Sequence, residues 1–158
     1  MKNGLLAALI AVIVLASCRK NEEAIPELVS SYLVLDAKQH DISSGFIGGP
    51  DSSHVVLTSS GITIDSMAFK GCGNIIDLTR LGPTKIEEGQ YTFSEFAGVI
   101  ALNFCTATNT ADYLEAIQNG SGLIHVNIIG TAIIIRGEGV LGDGKEIDFR
   151  FEGILKEF

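Results

Sequence analysis

Tryptophan is absent from this 158-residue chain, proline occurs three times, and aromatic residues make up only 7% of it. Sugar faces usually stack on exposed rings, so these absences weaken a glycan-binding reading. Cations are scarce as well. Eleven Lys and Arg face nineteen Asp and Glu, for a net charge of −8. That balance argues against nucleic acid, whose phosphates need clustered cations, and against electrostatic binding to anionic lipid. No apolar run reaches the roughly 20 residues that a membrane-spanning helix needs. Zinc-ligand spacings of His and Cys are missing. Asp51, Asp143 and Asp148 lie in or near expected turns, but outside any Asp-x-Asp-x-Asp-Gly calcium loop. The nucleophile elbow Gly-x-Ser-x-Gly is also missing, since Asn119-Gly120-Ser121-Gly122 lacks the first glycine. No cofactor is expected.

What is present begins at the N-terminus. Lys2 precedes an apolar run, Gly4 to Leu15, which closes on Leu15-Ala16-Ser17-Cys18 before Arg19 and Lys20. The run falls within the roughly 7–15 residues of a secretory signal. Leu15-Ala16-Ser17-Cys18 resembles the lipobox of bacterial lipoproteins. That resemblance implies cleavage before Cys18, diacylglycerol on its thiol, and palmitate or a similar acyl chain added there. The membrane partner is then the bilayer, held by two or three acyl chains, where a single chain would bind only reversibly. Residue 19 is Arg; lipoproteins kept in the inner membrane often carry Asp there, so the resemblance implies the outer membrane. Lys20-Asn21-Glu22-Glu23 is similar to Lys-acidic tags on surface-exposed lipoproteins of some Gram-negative bacteria. The domain is therefore expected on the periplasmic face or at the cell surface. The expected organisation is a signal peptide over 1–17, an anchor and tether over 18–30, and a β domain over 31–158. Residues 18–158 carry ten Lys and Arg against nineteen Asp and Glu, or −9.

With Cys18 taken by lipid, Cys72 and Cys105 remain. Two thiols in an exported domain either pair as a disulfide or pack as buried free thiols. Asp65-Ser66-Met67 is similar to an Asp-Ser/Thr-apolar O-glycosylation signal of exported proteins, with Ser66 as acceptor; an exposed strand residue reads the same way.

Along the chain, Tyr32 to Asp36 reads as a first strand, and Lys38 to Ser53, with Gly45, Gly48, Gly49 and Pro50, as a loop. His54 to Phe69 reads as a hairpin turning near Ser60-Gly61. Asn74 to Leu81 and Val99 to Thr106 read as strands, the latter central, and another strand begins at Tyr91-Thr92-Phe93. Asp112 and Glu115 have capping-box spacing, which predicts one short helix over Tyr113 to Gln118.

The last 36 residues are the most legible. Gly130-Thr131 suits a two-residue type II′ turn, and Gly142-Asp143-Gly144 a three-residue loop with Gly144 left-handed. The first turn sets Val126 opposite Ile135; the second sets Gly137 opposite Phe149 and Gly139 opposite Ile147. Both send Ile124, Val126, Ile128, Ile133, Ile135, Leu141, Ile147, Phe149 and Phe151 inward. Gly137 and Gly139 fall on this same face, where an aromatic from the neighbouring strand is expected to cover the bare backbone. The other face carries His125, Asn127, Arg136, Glu138, Glu146, Asp148, Arg150 and Glu152, as in a sheet with one wet side. Ile129, Ala132, Ile134 and Val140 also point outward. They form a candidate partner patch, unless the tether or the helix covers them.

Gly137-Glu138-Gly139-Val140-Leu141-Gly142 matches Gly-x-Gly-x-x-Gly, but a dinucleotide site needs a helix after it, and a turn is expected here. His40-Asp41 is the one candidate base–orienter pair, with no nucleophile tied to it. The Gly-rich meander with alternating Phe resembles small β-sandwich lipoproteins of unknown function from gut-type Gram-negative bacteria. The expected fold is all-β: a single antiparallel β-sandwich or flattened barrel of eight or nine strands with at most one short helix. The expected role is non-enzymatic, in binding an envelope protein or glycan or in structure. A lipocalin-like carrier of a small apolar ligand and a hydrolase are the alternatives.

Overall fold

Period-two alternation near the C-terminus builds the middle of a six-stranded sheet. The computed structural model describes residues 31–49, 53–65, 68–82 and 85–158. Its strands are β1 (Tyr32–Leu35), β2 (Lys38–Asp41), β3 (Ser44–Gly48), β4 (His54–Thr58), β5 (Ile62–Asp65), β6 (Ala68–Arg80), β7 (Gly89–Thr92), β8 (Phe96–Ala97), β9 (Val99–Cys105), β10 (Tyr113–Ala116), β11 (Ser121–Ile129), β12 (Ala132–Val140), β13 (Glu146–Gly153) and β14 (Leu155–Glu157). One sheet has the order β2-β1-β13-β12-β11-β7. The other has the order β10-β9-β6-β4-β3-β14, with β5 and β8 also paired to β6. The two sheets pack face to face and do not close into a barrel, so the fold is an all-β sandwich.

The strand order of each sheet runs along the strand direction of the other. Edge strand β2 meets the second sheet where Asn74 Nδ2 donates to the Asp41 carbonyl (3.1 Å) and the Ser60 N–H donates to the Asp41 carboxylate (3.4 Å). The opposite edge, β7, leads through a 3-10 turn at Phe93–Glu95 into β8, at the far end of the second sheet. Such a steep crossing is the orthogonal class of sandwich. Leu33, Phe93, Phe96, Ile124, Ile135 and Phe149 fill the space between the layers, each at most 1% exposed.

The two C-terminal hairpins adopt the expected registers. Val126 lies opposite Ile135, Gly137 opposite Phe149, and Gly139 opposite Ile147. Gly130 has φ +63° and Thr131 is not left-handed, which fits the type II′ turn; Gly144 has φ +87°. The bare backbone is covered as expected at Gly137, by a ring on the neighbouring strand, whereas the ring at Gly139 comes from outside the neighbouring strands. The Phe149 ring occupies the place of a Gly137 side chain, and Phe93 lies on Gly122 and Gly139, 2.7 Å from where a Gly122 Cβ would stand. Eight of the nine inward residues are buried; Ile128 is 46% exposed. It sits beside the turn, at the end of β11, where neighbouring elements no longer cover its face.

Among the described residues, fourteen strands replace the expected eight or nine. The segment expected as a loop holds β2 and β3. Strand β2 (Lys-Gln-His-Asp) is a polar edge with no apolar alternation. It forms because Asp36 and Ala37, with φ +50° and +62°, make a type I′ turn that folds it back on β1. Strand β3 admits glycine because its neighbours supply the bulk: Phe151 and Leu155 stand 2.6 Å from a Gly45 Cβ, and Phe158 stands 2.9 Å from a Gly48 Cβ.

The expected hairpin over His54 to Phe69 is also corrected. Strands β4 and β5 do not pair with each other; both pair with the thirteen-residue β6. Ser59-Ser60-Gly61 interrupts one arm of this longer hairpin and does not reverse the chain. The expected helix over Tyr113 to Gln118 is absent. Tyr113–Ala116 pairs with β9, and a 3-10 turn at Ile117–Asn119 follows, with Ile117 fully buried. Two helical turns are marginal alone, and the free edge of β9 offers a complete set of backbone partners.

Cys72 lies opposite Cys105 across β6 and β9, with Cα atoms 4.1 Å apart, and the two form a disulfide. Beside it the register shifts between Gly73 and Ile75, and Asn74 fills the irregularity. Its Oδ1 accepts from the Asn103 N–H (3.3 Å), its Nδ2 donates to Asp41, and its backbone N–H donates to Ser59 Oγ (2.9 Å). Asn74 is 9% exposed, so its side-chain partners have little water to turn to. Asn74→Ala is therefore expected to destabilise by about 2 kcal/mol, read as a lower urea midpoint at unchanged slope. An unchanged midpoint would show that these bonds add nothing.

Candidate functional site

The chemistry gathers in a cleft of about 290 Å³ between the two sheets, lined by Leu35, Asp36, Lys38, His40, Leu102, Asn103, Asp112, Tyr113 and Lys145. Three local devices build it. The I′ turn at Asp36-Ala37 places Lys38 and His40 on one side of β2. A left-handed Asn103 (φ +50°) bends β9, and Asn103 Nδ2 donates to Asp112 Oδ2 at 2.8 Å. The Gly142-Asp143-Gly144 loop holds Asp143 against Lys145.

The third device forms a compact ionic group. Lys145 Nζ contacts Asp143 Oδ2 at 2.6 Å and lies 4.1 Å over the centre of the Tyr113 ring. Tyr113 Oη donates to the same carboxylate oxygen at 3.2 Å. The Lys145 ammonium and then its backbone N–H hold Asp143 below the usual carboxylate range. Tyr113 is held well above the usual phenol range, by burial first, then by its hydrogen bond to Asp143 and the charge there. Lys38 and His40 form no ion pair among the described residues, so the cleft presents unused donors beside a neutralised cluster.

The raised Tyr113 value carries a pH prediction. The folded state keeps this proton after the unfolded chain has lost it at about pH 10. The stabilisation is thus complete below that pH and lost as pH rises beyond it. Absorbance titration is expected to show a late tyrosinate step that shrinks in Tyr113→Phe to the part owed to Tyr32. In Asp143→Asn the step moves down only part of the way, because burial is the larger cause. A late step unmoved by Asp143→Asn would contradict the pairing.

The exposed face of the six-stranded sheet is a second candidate. A depression of about 300 Å³ is lined by His125, Asn127, Ile134, Arg136, Glu138 and Arg150. Arg136 faces Arg150 across the strands, yet each cation has its own carboxylate. Arg136 reaches Glu138 at 3.3 Å and, diagonally, Asp148 at 3.9 Å; Arg150 reaches Glu152 at 2.6 Å. These pairs are half-exposed and contribute at most about 1 kcal/mol each. Tyr32 Oη donates to Asp148 Oδ2 at 3.2 Å; burial first and then that carboxylate raise its pKa.

The residues singled out from sequence are dispersed over the molecule. Ile129 and Ala132 face each other beside the Gly130 turn, and Ile134 lies opposite Asn127 on the same strand pair. Val140 stands six residues further along β12 than Ile134, about 20 Å away, so the four do not make one patch. His40 and Asp41 are not in a loop but on β2, where successive side chains diverge. His40 lines the cleft, while the Asp41 carboxylate accepts from Ser60. Gly137 to Gly142 lie on β12 and the turn after it. Cys18, Ser66 and Asp51 lie outside the described residues.

A His–carboxylate pair does exist where none was expected. His54 Nε2 and Asp77 Oδ1 are 2.8 Å apart on the eight-stranded sheet, with the Phe158 ring edge-on to the imidazole at 5.3 Å. The Thr79 hydroxyl, opposite His54 in the register, contacts the same Asp77 oxygen at 3.5 Å. Nucleophilic catalysis would need a hydroxyl on the imidazole. Nothing in the spacing of residues 54 and 77, or of 113 and 143, announces these contacts. Among the described residues, no three His, Cys, Asp or Glu side chains are grouped to hold a metal ion. No protein-family model, curated protein or solved structure matches the chain.

Proposed function

We propose that this chain is a lipid-anchored protein of the bacterial outer membrane, on its periplasmic face or at the cell surface, with a non-enzymatic binding role. The anchor reading rests on Leu15-Ala16-Ser17-Cys18 after a short apolar run. The binding role rests on one observation: the cleft gathers Lys38, His40, Asn103, Asp112 and Tyr113 from both sheets. Donors and acceptors of that kind suit a polar segment of an envelope protein or a glycan. The interior, filled by Phe93, Phe96 and Phe149, favours a surface site over an enclosed one for an apolar ligand.

Two measurements on the full chain in envelope-bearing cells test this. Palmitate label is expected on the protein and absent from Cys18→Ala. A photo-crosslinker replacing His40 is expected to capture an envelope component, while one replacing Thr79, on the other sheet, captures none. Absence of label removes the anchor; equal capture from both positions removes the cleft as the binding site.

A further inference from the structure

We infer that one end of the six-stranded sheet rests on the bilayer that holds the acyl chains, seating Ile128, Ile129 and Ile154 among the lipids. The inference rests on the lipid-anchor reading above. Three large apolar side chains at this end are exposed: Ile128 by 46%, Ile129 by 60% and Ile154 by 64%. They come from two elements. Ile128 and Ile129 precede the Gly130-Thr131 turn of β11 and β12. Ile154 follows Gly153, whose register partner is Ile133 on β12. Two strand spacings separate the groups, about 10 Å. From Asn127 to Ile135, and at Gly153 and Ile154, no residue is charged; Glu152, opposite Ile134, and Lys156 flank this apolar tip, so the seating is shallow and leaves their charges at headgroup level.

The direction of the chain identifies the occupant. Tyr32 pairs with Arg150 and Leu35 with Ile147, so β1 begins at the isoleucine end of the sheet and runs away from it. Ser31 is fixed there: the Glu152 N–H donates to its Oγ at 3.0 Å. Twelve residues lie between Cys18 and Ser31. Even fully extended, that stretch reaches no further than about 45 Å. A domain held by that end presents the isoleucines to the bilayer more readily than the far end of the sheet does. The cleft with Tyr113 and Lys145 meets the opposite end of the sheet, where the Asp36-Ala37 and Gly142-Gly144 turns lie. The nine residues of β12 span about 30 Å, so this seating turns the cleft outward.

The missing tryptophan makes the test clean, because a single introduced indole has no background. The full, acylated chain carrying Ile129→Trp, Ile154→Trp or Val140→Trp is reconstituted into phosphatidylethanolamine–phosphatidylglycerol vesicles with and without brominated acyl chains. Flotation first establishes attachment. Ile129→Trp and Ile154→Trp are expected to shift to the blue and lose most of their emission to bromine, while Val140→Trp, at the far end of β12, keeps both. Floating protein in which all three positions emit alike overturns the seating and leaves the anchor standing. Protein that does not float overturns both.

Discussion

Reducing the Cys72–Cys105 disulfide is expected to lower the stability of the domain by about 3–4 kcal/mol. The bond closes a loop of 33 residues, and the chain-entropy model places such a loop between the roughly 3 kcal/mol of a 15-residue loop and the 4.7 of a 100-residue one. The loop contains β8, β10's pairing partner β9 and most of β6, so its closure acts on strands that pair with each other. For a domain of this size the loss corresponds to a fall of about 10–15 °C in melting temperature. Melting with and without reductant, alongside Cys72→Ala/Cys105→Ala, checks it. Identical melting under both conditions, with both thiols alkylated after reduction, would show that the bond contributes nothing.

Phe149→Ala is expected to cost about 3–5 kcal/mol. The ring is fully buried and is the cover for Gly137 on the facing strand. Its loss opens a cavity and uncovers backbone between two adjacent strands of the six-stranded sheet. A second substitution separates packing from a general disturbance of the sheet. Gly137→Val alone drives a side chain into the ring and destabilises; in the Phe149→Ala background the same valine has room. The double variant is therefore expected to be more stable than Phe149→Ala by about 1 kcal/mol. Denaturation midpoints of the four proteins complete the cycle, and simple additivity of the two losses would refute the ring-over-glycine account.

Legibility along this chain follows how many independent signals coincide. Over residues 121–153, turn chemistry and alternation agree, so strands, registers and the covering of Gly137 can be read from sequence alone. Ile128 departs because alternation tells which side a residue faces, and not how far the opposing layer extends. Strand β2 is unreadable from its composition, since an edge strand of Lys-Gln-His-Asp is held by its turn and its backbone partners. Ser59-Ser60-Gly61 has the composition of a hairpin turn but acts as an irregularity within one, because β6 is long enough to pair on both sides of it. Asp112 and Glu115 have the spacing of a capping box, yet the free edge of β9 outweighs a two-turn helix. The cleft was the least legible part. Its side chains come from β1, β2 and the turn between them, from β9, the start of β10 and the β12–β13 turn, and only the stacking of the two sheets brings these together.

The pairing of β1 with β13 joins residues 32–35 to residues 147–150. During synthesis the first strand of the domain therefore has to wait until residues 147–150 have left the ribosome. Its other neighbour is the four-residue β2, and an isolated two-stranded hairpin is marginal in water. Such late closure of long-range pairs slows folding. The architecture thus defers the completion of its first strand to the synthesis of residues 147–150.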